Sequence, residues 1–404
     1  MLFPSVKEQL AIIKRGAVEI VPEQELVEKL KKSKKENKPL RIKLGVDPTR
    51  PDLHLGHSVI LRKMRQFQDL GHEVILIIGG FTAMIGDPTG QNKTRPPLTL
   101  EEVKENAQTY IDQAKKILDA DKLTLTNNND WLGPMAFMDV VRLSSKLTVA
   151  RMIERDDFSK RFENNEAISL HEFLYPLAQG QDSVYLKSDI ELGGTDQKFN
   201  LLVGRQLQKD DGQDQQVCLM MPLLVGTDGS AKMSKSYDNY IGIDEAPNDM
   251  YGKTLSVPDE LIFTYFELVT DVSIEDLPAV KEKAEKDPRN AKHDLAYTIV
   301  RMYHGEEKAK AAKEHFEKTI INKQVPDDAP TFEYNSGEEL RLLDIIADTD
   351  FSPSNGETKR MIKQGGISLD DEKVKDINHS VTLSSGQEIS LKVGKRNFGI
   401  IKGK

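Results

Sequence analysis

The chain has 404 residues, 38 % of them hydrophobic and 30 % charged, with a net charge of −9 and one cysteine, Cys218. That length exceeds a single hydrophobic core, so several domains are expected, and the composition is that of an ordinary globular protein. One cysteine excludes a disulfide framework or a thiolate metal cluster, and no apolar run approaches the ~20 residues of a membrane helix, so a cytoplasmic protein without a structural metal is expected.

In chain order, Lys7, Glu8, Lys14 and Arg15 interrupt the apolar positions of the first segment, against a secretory leader. Residues 40–46 form a short apolar run, a predicted strand. Residues 54–70 have helical spacing, with Val59, Leu61, Met64 and Phe67 available to pack. Residues 73–79 (EVILIIG) are a second, nearly all-apolar strand. Strand, crossover helix and apolar strand predict a parallel sheet buried on both faces, whose ligands bind beyond the carboxyl ends of the strands. Asp47, Pro48 and Thr49 fall there. Residues 96–180 read as mostly helical, an insertion into this α/β fold. Residues 192–197 and 217–224 return to the sheet. Residues 247–323 read as helical, with Pro278 in a first helical turn. The Pro- and Asp-rich stretch 325–337 has linker composition, and a small separate module follows from about residue 340.

Three clusters carry chemistry. Residues 45–57 (GVDPTRPDLHLGH) leave a strand and enter a helix, with Asp52 as the expected N-cap. His54 and His57 share one face of that first turn, whose backbone N–H groups and dipole attract anions. Gly56, lacking a Cβ, lets a flat ring lie against the backbone. Downstream, the segment Asp228-Gly229-Ser230-Ala231-Lys232-Met233-Ser234-Lys235-Ser236 offers two ammonium groups to a phosphate chain. Tyr175, Gln179 and Asp182 form one polar stripe at i, i+4 and i+7, with Pro176 starting or kinking their helix. The tail has its own charge. From Lys359 onward ten basic and five acidic residues give +5, leaving −14 for the preceding 358 residues. Such a basic footprint suits RNA.

Taken singly, the histidine pair and the Lys–Ser loop are ordinary surface features. Together, in this order and at this separation, HLGH (54–57) and KMSKS (232–236) resemble the two signatures of class I aminoacyl-tRNA synthetases. The chemistry that follows is nucleotidyl transfer: a carboxylate attacks the α-phosphorus of ATP and pyrophosphate leaves. The protein's work is alignment and charge stabilisation, for which His54, His57, Lys232 and Lys235 are the expected catalytic donors.

The likeness narrows further. DPTRPDLHLGH (47–57), IGDPTG (85–90), NNNDW (127–131), EFLYPLAQGQD (172–182), ELGGTDQ (191–197) and KMSKS resemble the bacterial tyrosyl-tRNA synthetases. The resemblance implies that Asp87, Tyr175, Gln179 and Gln197 hold tyrosine and that Asp182 accepts its phenolic hydroxyl. It implies ATP contacts from Asp47, Thr49, Gly56, Gly194, Asp196, Met233, Ser234 and Lys235, with Mg²⁺ accompanying ATP. Two departures mark a second bacterial branch: Lys43 stands where the best-known branch has a tyrosine near the substrate hydroxyl, and Gln91 stands where it has a lysine, so Lys93 or Arg95 is the expected substitute. Residues 354–366 and 391–396 resemble an RNA-binding module shared with a ribosomal small-subunit protein, implying RNA contacts from Lys359, Arg360, Lys363, Lys395 and Arg396. The implied organisation is a Rossmann-like catalytic domain (1–242) with a dimerisation insertion (about 130–185) and an all-α anticodon-binding domain (243–325). A linker (326–340) and a small α+β RNA-binding domain (341–404) complete it. A homodimer acting on tRNA, tyrosine and ATP is expected. The alternatives are a tryptophan–tRNA ligase, which has no hydroxyl for Asp182 to accept from, a non-catalytic RNA-binding paralogue, and a small-substrate nucleotidyltransferase. The first of these conflicts with Asp182, the second with the intact signatures, and the third with the helical region and the tail.

Overall fold

The computed structural model describes residues 3–48, 52–88, 100–321, 329–394 and 397–404. Contacts divide the chain into two compact units, Met1–Gly305 and Glu306–Lys404. In the first, six strands make one sheet: β1 (Glu19–Val21), β2 (Arg41–Val46), β3 (Glu73–Ile78), β4 (Leu123–Asn127), β5 (Ile190–Gly194) and β6 (Val217–Met221), in the order β1-β6-β5-β2-β3-β4. All neighbours pair in parallel except β1, which runs antiparallel along the edge beside β6. β3 (EVILII) and β6 (VCLMM) are buried almost throughout, as strands covered on both faces must be. The strand order reverses at β2, which has β3 on one side and β5 on the other. A crevice opens at such a reversal, beyond the carboxyl ends of the strands.

The helix Leu55–Asp69 buries Val59, Leu61, Met64 and Phe67, the face its spacing predicts. Its N-cap is His54 and not Asp52. The His54 Nδ1 accepts the Gly56 N–H at 3.1 Å, and the His57 Nδ1 accepts the His54 N–H at 3.2 Å. Asp52 lies two residues too early to reach those donors, and its carboxylate turns to Lys235 instead. A second correction concerns residues 96–180. The described part, residues 100–180, is mostly helical, yet it contains β4, which pairs with β3 along its whole length. Its sequence, LTLTN, alternates with period two, the strand signal that the surrounding helical pattern hides.

Helices Pro247–Leu255, Ile262–Val269, Leu277–Lys286 and Pro288–His304 belong to the first unit. Pro278 occupies the first turn of its helix as expected. The compact boundary therefore follows Gly305, and the helix Glu306–Phe316 groups with the tail. The second unit holds a five-stranded sheet, order β10-β9-β12-β13-β7, and a two-stranded ribbon, β11-β8. Here β7 is Thr331–Tyr334, β8 Glu339–Arg341, β9 Ile367–Leu369, β10 Glu372–Val374, β11 Ser380–Thr382, β12 Glu388–Val393 and β13 Asn397–Gly403. Part of the expected linker is thus a strand: β7 pairs in parallel with β13. Its four residues (TFEY) are too few to outweigh the neighbouring prolines in a reading of composition. Leu342, Ile345, Ile346, Ile362, Leu391 and Ile401 centre the core of this unit. Among the described residues no helix is long and apolar enough to cross a membrane.

Candidate active site

At the crevice, three carboxylates meet three different sets of donors. Asp47, just past β2, accepts the Thr82 hydroxyl at 2.7 Å on Oδ1 and the Tyr175 hydroxyl at 2.9 Å on Oδ2. Asp87 accepts Gln197 Nε2 at 2.9 Å and lies 3.5 Å from the Arg155 guanidinium. Asp182 is buried and accepts the Trp131 indole N–H at 2.8 Å on Oδ1 and Asn128 Nδ2 at 3.3 Å on Oδ2. Tyr175, Gln179 and Asp182 sit on the helix Leu174–Leu186, as their spacing predicts. Pro176 falls in its first turn, where a missing N–H is harmless, so it starts the helix and does not kink it. These side chains, with His57 and Gly194, line one cavity of about 300 Å³. Burial pushes the Asp182 carboxyl up to about 7, against the opposing pulls of Lys43, Trp131 and Asn128.

Backbone bonds tie the first signature segment to the stretch that follows the second, residues 241–243. Leu55 N–H donates to Ile241 O at 2.9 Å, and Ile243 N–H donates to Leu53 O at 3.1 Å. Lys235 forms an ion pair with Asp52. Met233 approaches the other segment at Gly56: a Cβ on Gly56 would lie 3.5 Å from Met233 Cβ and 2.9 Å from the His54 ring. Glycine there preserves both the cap and the close approach. Because each Nδ1 is an acceptor of a backbone N–H, both histidines carry their proton on Nε2. Burial, with Lys235 nearby, pushes His54 down to about 3 and His57 down to about 4. Both are neutral at physiological pH and act as N–H donors, not as cations.

Asn239 holds the lysine segment in shape. Its Oδ1 accepts Ser234 N–H at 2.8 Å, and its Nδ2 donates to Asp228 at 3.0 Å and to Lys232 O at 3.2 Å. The exposed Lys232 and the buried Arg155 face Asp196 across a second cleft of about 680 Å³. Burial raises the Asp196 carboxyl and Lys232 partly offsets this. His54, Met233, Ser234 and Lys235 therefore gather beside His57 and Gly56 at the start of one helix. Thr49, Gln91, Lys93 and Arg95 lie outside the described residues.

Several site residues escape a sequence reading. Asn128 and Trp131 belong to the NNNDW segment, which carries the family likeness without revealing that its side chains orient Asp182. Arg155 and Thr82 act through contacts distant in sequence, for which local pattern has no signal, and Asn239 acts through a loop fold that no periodicity marks. Lys43 is not on Asp182 but 2.8 Å from Glu191. In the second unit, Lys359, Arg360 and Lys363 lie exposed on the helix Asn355–Lys363, with Thr358 and Ile362 buried on its other side. Arg360 pairs with Glu357. Lys395 and Arg396 lie outside the described residues.

Comparison with known proteins is consistent over the whole length. The family described as "tRNA synthetases class I (W and Y)" matches residues 34–320, and the "Tyrosine--tRNA ligase SYY-like C-terminal domain" matches residues 321–401. The chain is 55 % identical over 404 residues to a tyrosine–tRNA ligase of Salinibacter ruber, covering all of this chain and 98 % of that one. It is 55 % identical over 398 residues to a tyrosine–tRNA ligase of Chlorobaculum tepidum, covering 98 % of each. Among solved structures it is similar to a C-terminally truncated mitochondrial tyrosyl-tRNA synthetase of Coccidioides posadasii, with a TM-score of 0.62 and 25 % identity over 76 % of this chain and 90 % of that one.

Proposed function

This chain belongs to the class I tRNA synthetases of the W and Y group, and from that premise we propose that it is a tyrosine–tRNA ligase. It activates tyrosine with ATP, releasing pyrophosphate, and passes the tyrosyl group to the 3′ end of its tRNA. The observation that carries tyrosine over tryptophan is Asp182, a buried acceptor whose two oxygens already face N–H donors and still line the cavity. A phenolic hydroxyl donates to such a group while its ring occupies the cavity.

In this reading Tyr175, Gln179, Asp87 and Gln197 receive the amino-acid end, and Asp47, Gly194 and Asp196 adjoin the nucleotide. The carboxylate of tyrosine attacks the α-phosphorus and the α–β bridging oxygen leaves with pyrophosphate. The Nε2–H groups of His54 and His57 and the ammonium groups of Lys232 and Lys235 stabilise the charge gathering on the phosphates. Mg²⁺ accompanies ATP as phosphate counter-ion.

The acidic form of Asp182 gives a signed pH dependence. Between the ordinary carboxylate range and about 7, the folded empty protein holds a proton that the unfolded chain lacks, so its stability falls as pH rises through that window. Tyrosine binding runs the other way, because its hydroxyl donates to the ionised form. Between pH 6 and pH 8 the KM for tyrosine is expected to fall about tenfold, with the KM for ATP nearly constant. Steady-state exchange kinetics across that range check it. A flat tyrosine KM counts against a titrating Asp182.

The tail contributes tRNA affinity. In the full chain, Lys359→Glu/Lys363→Glu is expected to raise the KM for tRNA about tenfold or more at physiological salt and to leave tyrosine activation unchanged. Unchanged charging would assign RNA binding elsewhere. Phe137 and Leu170, each 82 % exposed, and Met138, Val149 and Phe162 are all exposed apolar side chains within residues 137–170. So much exposed apolar surface supports a homodimer formed through this segment. The helices between residues 247 and 304 are assigned to the anticodon region, and the cytoplasm is the compartment. An aminoacylation assay with bacterial tRNA and labelled tyrosine tests the whole reading. Tyrosine esterified to tRNA is the expected product, and none at all would refute it.

A further inference from the structure

We propose that the buried Lys43–Glu191 pair is a positioning device that fixes which end of the Gln179 side-chain amide faces the tyrosine cavity. The inference rests on the tyrosine-ligase reading above and adds two residues to its amino-acid specificity.

Lys43 on β2 and Glu191 on β5 are direct neighbours across the two strands that flank the crevice. Their charged atoms are 2.8 Å apart, and the side chains are 0 % and 1 % exposed. Buried pairs of this kind rarely stabilise a fold more than apolar residues of equal volume, so a role beyond stability is the better explanation. The other partners of Glu191 supply one. Its Oε1 meets Lys43 and also accepts Gln179 Nε2 at 3.0 Å. Its Oε2 accepts the Ser183 hydroxyl at 3.2 Å and Gln216 Nε2. A carboxylate has roughly four acceptor sites and no donor, so this one is saturated. The cluster is also closed sterically: a Cβ on Gly204 would lie 2.5 Å from Ser183 Oγ and 2.8 Å from Gln216 Nε2.

Of these residues, Gln179 lines the cavity. A side-chain amide can offer either its NH₂ or its oxygen, and free rotation would make both available. With the nitrogen committed to Glu191, the oxygen end is turned the other way. An oxygen there accepts from an ammonium and repels a carboxylate. Lys43 pairs with the Glu191 carboxylate and reaches the Gln179 main-chain carbonyl at 3.5 Å, so the pair holds that residue from both sides. The pair thereby selects for the α-ammonium of the substrate without touching it.

The test compares two ligands that split tyrosine's polar groups. Tyramine keeps the ammonium and lacks the carboxylate; 3-(4-hydroxyphenyl)propionate keeps the carboxylate and lacks the ammonium. Calorimetric titration of the full chain is made with Glu191→Gln, whose amide lets Gln179 flip, and with Lys43→Met/Glu191→Met, which removes both charges together. Both variants are expected to lose about tenfold or more in tyramine affinity while binding the propionate within about twofold of the unaltered protein. Equal losses for the two ligands would mean general damage to the pocket, and no loss would mean the amide is set elsewhere; either overturns the inference. Failure of both variants to fold would assign the pair to the core and overturn it as well. Failure of the ligase reading is visible separately, as an unaltered protein that binds neither ligand nor tyrosine, and it removes the inference with it.

Discussion

Replacing Asp182 by Asn is expected to raise the KM for tyrosine on the order of 100-fold and to abolish the preference for tyrosine over phenylalanine, with the KM for ATP unchanged. The size of the effect follows from the two groups that already face this carboxylate. Trp131 and Asn128 each point an N–H at it, one to each oxygen. A carboxylate satisfies both and still has lone pairs for a third donor, the hydroxyl of tyrosine. An amide has one oxygen. Its NH₂ group would face one of those N–H donors with nothing to accept, and the remaining oxygen would be taken by the other. The hydroxyl then loses a charged acceptor in a buried site, where an unmade bond is most costly. Phenylalanine loses nothing, so the difference between the two substrates closes. Measured KM and kcat values for both amino acids in pyrophosphate exchange check this. An unchanged preference would mean the hydroxyl is read by another group.

Removing a signature lysine acts on rate instead. Lys232→Met and Lys235→Met are each expected to lower kcat for activation by about 10²–10³, leaving the dissociation constant for tyrosine intact. Neither ammonium group lines the cavity that holds Asp182: Lys232 shares the other cleft with Asp196, and Lys235 pairs with Asp52. The pairing with Asp52 is exposed and contributes little to stability. Loss of fold is therefore no explanation for a slow variant, and a melting curve close to that of the unaltered protein is expected. His54→Ala and His57→Ala are also expected to lower kcat, but with a stability loss of about 1 kcal/mol, since the two rings cap the helix Leu55–Asp69. Since both imidazoles are neutral down to about pH 5, no rate change between pH 6 and pH 8 should trace to their ionisation. A lysine variant with normal kcat and weakened tyrosine binding would contradict the division of roles.

What could be read from the sequence was whatever is contiguous. β2, β3 and the helix between them are single apolar or periodic stretches, and His54, His57, Lys232 and Lys235 stand in short motifs whose chemistry is local. β4 and β7 were hidden because five and four residues of alternation cannot compete with a helical or proline-rich surround. The N-cap was misplaced for a related reason. Asp52 is the better cap by residue type, but the helix begins later and a histidine ring fills the role. The polar stripe of Tyr175, Gln179 and Asp182 was legible from spacing. The groups that orient it were not, since Asn128 and Trp131 reach it from just past β4 and Glu191 from β5. Lys43 illustrates the limit best. In the sequence it is a departure from a family pattern; in the fold it has a partner on the neighbouring strand.

The measurement closest to the central claim is ATP–pyrophosphate exchange without tRNA, with tyrosine, phenylalanine and tryptophan side by side. Exchange driven by tyrosine alone is the predicted result, since one assay then reports both the signature segments and the Asp182 pocket. Exchange driven by tryptophan, or by none of the three, would contradict it.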